Sequence, residues 1–170
     1  RVGIGLDSID LVETEKRGII VSYTPDAPSP AVAELTVVMM LTLLRSVHVS
    51  NSQMHHRQWY RYFGRRLSEV TIGIIGVGRI GKAILSHLEG FGTLEILVND
   101  IHENTDLDQE FNIEWVDKER IYKEADIISL HTPLTSQTKN MIRKCDLLSM
   151  KKDACIINTA RGGIINEQDL

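Results

Sequence analysis

Three glycines, Gly76, Gly78 and Gly81, stand in the spacing G-x-G-x-x-G and limit what this chain can fold into more than any other feature. They follow an apolar run, Val70 to Ile75, and lead into a segment where Ile80, Ala83, Ile84 and Leu88 recur at helical spacing. The pattern predicts strand, tight turn, helix. Gly76 supplies the turn, Gly78 leaves the backbone bare for the close approach of a pyrophosphate, and Gly81 lets the helix pack on the strand. Arg79 and Ile80 fall in the first helical turn, where free amides and the positive end of the helix dipole favour phosphate. A second apolar run, Glu95 to Asn99, ends in Asp100, 19 residues beyond Gly81. That is where an acid meets the hydroxyls of an adenosine ribose. A carboxylate there repels a 2′-phosphate and no arginine follows it at once, so the expected cofactor is NAD(H) rather than NADP(H).

Around this unit, secondary structure alternates. The runs Val70 to Ile75, Glu95 to Asn99, Asp126 to His131 and Ala154 to Thr159 read as strands. Arg79 to Leu88, Lys118 to Glu124 and Lys139 to Met150 read as helices between them. The expected fold class is α/β, a doubly wound parallel sheet with helices on both faces. Upstream, Val2 to Leu6, a helix over Ile9 to Arg17 stopped by Gly18, and the β-branched run Ile19 to Tyr23 form a β-α-β-like passage. Pro25, Pro28 and Pro30 make a stiff connector. Ala31 to Val49 then lacks glycine and proline and is apolar almost all round, which predicts a buried helix. Gln58 to Arg66 turns basic and aromatic, as a surface loop or short helix would, and Asn166 to Asp169 reads as a polar helix start.

Composition removes several alternatives. The chain has 170 residues, the size of one domain, and a chain of that length buries roughly 70% of the surface it exposes when unfolded. With 19 basic against 23 acidic residues there is no positive excess to neutralise a nucleic-acid backbone, and no nucleic-acid partner is expected. The most apolar stretch, Leu35 to Leu44, is ten residues long with two threonines, against about twenty apolar residues needed to span a bilayer. No membrane partner is expected. Cys145 and Cys155 suit no disulfide framework or zinc spacing, which favours buried small hydrophobes in a reducing cytoplasm. His48, His55 and His56 lack acidic or cysteine partners nearby, so no metal is expected. Trp59, Tyr60, Tyr62 and Phe63, set among arginines in an acidic chain, suggest packing at a domain or subunit contact. The chain opens on Arg1 and stops at Leu170 as a helix begins, and so reads as a fragment cut at both ends.

Two further segments are distinctive: Asp-Ile-Ile-Ser-Leu-His-Thr-Pro-Leu (Asp126 to Leu134) and Ile-Ile-Asn-Thr-Ala-Arg-Gly-Gly-Ile (Ile156 to Ile164). Together with Ile72 to Gly81 they resemble the D-isomer-specific 2-hydroxyacid dehydrogenases, especially the phosphoglycerate dehydrogenase branch. Gly3, Gly5, Asp7 and Asp10 match a substrate-domain loop of that family, and Val32 to Leu35 match the long helix entering its cofactor domain. The resemblance implies a partial substrate-domain segment and connector over 1–29, and an NAD-binding Rossmann domain over 30–170 truncated at its C-terminal end.

By the same resemblance Arg161 is the catalytic arginine, which binds the substrate carboxylate and polarises the reacting carbonyl. Its planar, permanently charged fork suits a carboxylate. His131, Thr132, Pro133, Thr159 and Ala160 would line the ribose and nicotinamide side of the cofactor. Thr138 matches a position that also faces it, and Ile4 would lie near the nicotinamide within a Gly3 to Gly5 loop whose amides hold the carboxylate. The family's acid-base histidine and glutamate fall beyond Leu170, so His131 is expected to be a neutral hydrogen-bonding residue and not the proton donor.

The implied activity is hydride transfer between NAD(H) and a D-2-hydroxy acid or 2-oxoacid, 3-phosphoglycerate in this branch, with the 170-residue piece binding cofactor without turning over. A second reading is an NAD-sensing interaction module resembling the C-terminal-binding transcriptional corepressors. The apolar helix and the aromatic segment favour a homodimer, because members of the family pair through this domain.

Overall fold

β-Branched and aliphatic runs with glycine at their ends pair side by side once helices cover both faces, and that is the arrangement found. The computed structural model describes residues 1–170. In chain order its elements are α1 (Leu11–Lys16), α2 (Ser29–Leu44), α3 (Val47–His55), β1 (Thr71–Ile75), α4 (Arg79–Leu88), β2 (Glu95–Asn99), α5 (Asp106–Glu110), β3 (Glu114–Trp115), α6 (Lys118–Glu124), β4 (Ile127–Leu130), α7 (Lys144–Ser149) and β5 (Cys155–Asn158). The five strands form one parallel sheet in the order β3-β2-β1-β4-β5. Ile72 of β1 stands in register with Ile96 of β2 on one side and Ile127 of β4 on the other.

The sheet has a core on each face. On one, Ile72, Ile74, Val98, Ile127 and Ile157 pack with Ala33, Val37 and Met40 of α2 and with Ile84, Leu85 and Leu88 of α4. On the other, Ile75, Leu97, Ile128 and Leu130 pack with Ile121 and Tyr122 of α6 and with Ile142, Ile164 and Ile165. Each fully buried isoleucine or leucine contributes about 1.5–3 kcal/mol, so the central strand, buried at all five positions, anchors the fold. The doubly wound α/β expectation holds.

Elsewhere the structure corrects the sequence reading. Val2 to Leu6 and Ile19 to Tyr23 form no strands. Residues near both chain ends of this passage touch through isolated bonds, Gly3 amide to Thr24 Oγ1 at 2.8 Å and Thr24 amide to Gly3 carbonyl at 3.3 Å, and Ile20 is 94% exposed. Without a ladder or a core to cover, β-branched residues alone do not make a sheet. The apolar segment from Ala31 is not buried all round. It breaks at Ser46, which has a left-handed φ of 50°, and α2 and α3 meet at 68°. Leu35, Val38, Met39 and Leu43 of α2 are exposed, at 48%, 55%, 39% and 37%. No single helix is long and apolar enough to cross a membrane.

Lys139 to Met150 is helical only over α7, because Asn140 takes a φ of 51° and Ile142 instead bridges in parallel to Ile165. Asn166 to Asp169 forms a turn, with the Asp169 carboxylate accepting the Lys144 amide at 3.0 Å. Cys145 is exposed, contrary to expectation, and Cys155 is partly buried. Between β2 and α6 lie α5 and the two-residue β3, both too short for periodicity to reveal.

Candidate functional site

From β1 the sheet grows outward through β2, and on the other side through β4. Between the carboxyl ends of β1 and β4 lies the point where the strand order reverses, the place where open α/β sheets form a crevice. Gly76 closes this end of β1 with a φ of +97°, and a Cβ there would stand 2.7 Å from the His131 carbonyl carbon. Only glycine lets the turn cross so near to the end of β4. Gly81 likewise lets the first turn of α4 rest on the Gly76 carbonyl. Gly78 differs: nothing lies within 4 Å of the place its Cβ would take. No side chain caps α4, so its first amides face outward without a side-chain acceptor, the condition under which a helix start receives an anion.

Gly78 borders two cavities. One, of about 430 Å³, is lined by Gly76, Asp100, His131, Thr132, Pro133 and Thr138 among others. The second, of about 530 Å³, runs along Arg79, Lys82 and Asp26. Asp100 accepts the Val77 amide on Oδ2 at 2.6 Å and the Ile101 amide on Oδ1 at 2.7 Å, so the acid also ties the glycine turn to the end of β2. Oδ1 also accepts the His102 amide at 3.4 Å, while Oδ2 keeps a further lone pair for a hydroxyl donor. Thr138 donates from Oγ1 to the Pro133 carbonyl at 2.5 Å, folding the loop after β4 back over the cavity.

His131 shares a hydrogen bond between its Nε2 and Ser129 Oγ at 2.7 Å, while its Nδ1 has no partner. Burial pushes its pKa down to about 4, so the ring is neutral at pH 7. Thr132 Oγ1 is also buried without a partner. An unpaired buried polar atom costs about 1–3 kcal/mol, and two of them side by side in one cavity wall fit a ligand rich in hydroxyl and amide groups. The bare cradle at Gly78 and the carboxylate at Asp100 fit the same ligand.

Other expected site residues fall elsewhere. Ile80 packs against the core and lines neither cavity. Thr159 turns its hydroxyl toward Thr36 of α2, at 3.1 Å, and does not line the 430 Å³ cavity; neither do Ala160, Arg161 and Ile4. Arg161 follows β5 and donates from Nε to Asp7 Oδ2 at 2.8 Å and from Nη1 to the Ala160 carbonyl at 2.8 Å. Arg161 holds the Asp7 carboxyl below its usual range. Arg79 reaches Asp26 at 2.5 Å. Arg79 and Arg161 are thus both held by acids from the first 29 residues. Asp7 lies 154 residues from Arg161, and no spacing rule signals such a pair.

A parallel sheet with a glycine turn at its switch point and an acid closing the next strand defines a dinucleotide-binding Rossmann fold. The chain belongs to the D-isomer specific 2-hydroxyacid dehydrogenases, whose NAD binding domain is matched by residues 37–170. It is 38% identical over 172 residues to a hydroxypyruvate reductase of Thermotoga maritima, covering 100% of this chain and 55% of that protein. It is also 38% identical over 173 residues to a D-3-phosphoglycerate dehydrogenase of Methanocaldococcus jannaschii, covering 100% of this chain and 33% of that one. Among solved structures, a D-lactate dehydrogenase from Aquifex aeolicus complexed with NAD and lactic acid superposes with a TM-score of 0.87 at 33% identity, over 98% of this chain and 50% of that one. The chain therefore spans about half, or less, of these relatives.

Proposed function

We propose that this chain is the cofactor-binding part of an NAD-dependent dehydrogenase that interconverts D-2-hydroxy acids and 2-oxoacids. The crevice at the strand-order reversal carries the reading, because bare glycine backbone, a ribose-placed acid and two unpartnered polar atoms meet there. Bound NAD(H) supplies a nicotinamide C4 that gives or takes a hydride. Gly76 and Gly78, with the first α4 amides of Arg79 and Ile80, would hold the diphosphate, and Gly81 seats that helix start on the turn. Asp100 accepts the ribose hydroxyls. His131, as a neutral ring, Thr132, Pro133 and Thr138 face the rest of the cofactor, with Ile4, Thr159 and Ala160 contributing on the nicotinamide side. Arg161 binds the substrate carboxylate and draws electron density from the carbonyl oxygen.

Residues 1–29 belong in this reading to a substrate domain, and 30–170 to the cofactor domain. The substrate class includes 3-phosphoglycerate alongside the smaller acids named for the relatives. Two copies pair through the exposed Leu35, Val38 and Met39 of α2 and the exposed Trp59, Tyr60 and Phe63, in a cytoplasmic enzyme. Neither the relatives nor the solved structures favour a corepressor-like sensor.

The test is NADH oxidation by the full-length protein across a panel of 2-oxoacids that includes glyoxylate, hydroxypyruvate and the 2-oxo form of 3-phosphoglycerate. Turnover is expected with at least one, and Arg161→Ala lowers it by about ten- to a hundred-fold, the value of one charged hydrogen bond in the transition state. NADH-dependent binding of another protein without any oxidation contradicts the reading.

A further inference from the structure

Arg161 has five N–H donors in one plane, and their allocation decides how it meets an anion. Nε is taken by Asp7 and one Nη1 hydrogen by the Ala160 carbonyl, each at 2.8 Å. These two bonds come from opposite ends of the chain and fix the plane between them. What remains is the end of the fork, one Nη1 hydrogen and the Nη2 group. Nη2 occupies the place where a Cβ on Gly5 would stand, and the same absent Cβ would lie 3.0 Å from Asp7 Oδ2 and 3.1 Å from the guanidinium carbon. Gly5 is thus the one residue type that lets Asp7 and Arg161 meet across the loop, with the free end of the fork beside the Gly3 to Gly5 backbone.

An arginine can grip a carboxylate in two ways, side-on through Nε and Nη2 or end-on through Nη1 and Nη2. Asp7 occupies the side-on edge. We propose that Asp7 is a positioning residue for Arg161: by engaging Nε it closes the side-on edge and directs the end-on pair at the substrate carboxylate held against the Gly3 to Gly5 loop. Asp7 touches no substrate itself. With a side chain 59% exposed, it contributes little to folding, so its removal leaves the chain intact. The inference rests on the reading of Arg161 given above, and the experiment separates the two.

In the full-length protein, Asp7→Ala is expected to lower kcat for 2-oxoacid reduction about tenfold while the Kd for NADH moves less than about twofold. Asp7→Asn keeps an acceptor for Nε and is expected to restore kcat to within about threefold of the wild type. The Nε–H resonance of Arg161, shifted by its bond, persists in Asp7→Asn and moves in Asp7→Ala. A wild type active on a 2-oxoacid with an Asp7→Ala variant equal to it overturns the positioning role alone. So does an Asp7→Asn variant as slow as Asp7→Ala, or a parallel loss of NADH affinity, which marks Asp7 as merely structural. A wild type inactive on every 2-oxoacid overturns the reading of Arg161 and the positioning role with it.

Discussion

The two ends of β1 and β4 carry opposite kinds of polar chemistry. At the amino end, the Asp126 carboxylate, 14% exposed, takes the Thr71 amide at 3.0 Å, Arg65 at 2.7 Å and Lys151 at 3.0 Å. Every partner is protein, and the network ties the start of β1, the aromatic segment and the approach to β5 together. At the carboxyl end, five residues along β1, His131 Nδ1 and Thr132 Oγ1 have no partner and Gly78 faces open space. A satisfied network adds stability; an unsatisfied one, held in place by a rigid sheet, is prepared for a ligand.

The ends should separate by pH. His131 is neutral in the fold with a pKa of about 4 against an ordinary 6.5, so its contribution is complete above pH 6.5 and is lost as pH falls toward 4, where the unfolded chain takes up a proton that the fold refuses. The loss amounts to roughly 3 kcal/mol at most. Asp126 titrates lower. Burial raises its pKa, but the Thr71 amide, Arg65 and Lys151 outweigh burial and hold it below 3.8. Its contribution stands above pH 3.8 and disappears only on further acidification. Denaturant unfolding from pH 8 to 3 is expected to show a decline between 6.5 and 4 that His131→Gln flattens. A decline confined to pH below 4 breaks the comparison at its carboxyl end.

A smaller effect sharpens the amino end. Asp126→Ala leaves the Thr71 amide without its side-chain acceptor and is expected to cost about 1–2 kcal/mol by the same unfolding measurement. NADH affinity of the folded protein should not change. An affinity loss with intact stability would show that the amino end also serves the ligand.

What the sequence made legible follows the same division between local and distant. The glycine turn, its strand and helix, and Asp100 could be placed because each is set by neighbours a few residues away or by a fixed strand-helix-strand length. The neutrality of His131 is not local information: it follows from the family resemblance, which puts the acid-base histidine beyond Leu170, and the burial that lowers its pKa shows only in the fold. The pairing of Arg161 with Asp7, of Arg79 with Asp26, and the turn of Thr159 toward Thr36 depend on how distant segments come to rest, and no periodicity encodes them. Ile19 to Tyr23 shows the limit of propensity, because a β-branched run needs a neighbour to pair with. The helix α2 shows the limit of composition: apolar residues on every face do not distinguish a helix enclosed by its own chain from one with a face such as Leu35, Val38 and Met39 left uncovered.

The central claim is that the crevice beside Gly78 receives the cofactor. Gly78 has a negative φ of −74° and nothing within 4 Å of the place its Cβ would take, so Gly78→Ala should fold with stability changed by no more than about 1 kcal/mol. Calorimetric titration of that variant with NADH is the decisive measurement: the account predicts affinity weakened at least about tenfold in an otherwise intact protein. Wild-type affinity for NADH in Gly78→Ala would contradict it.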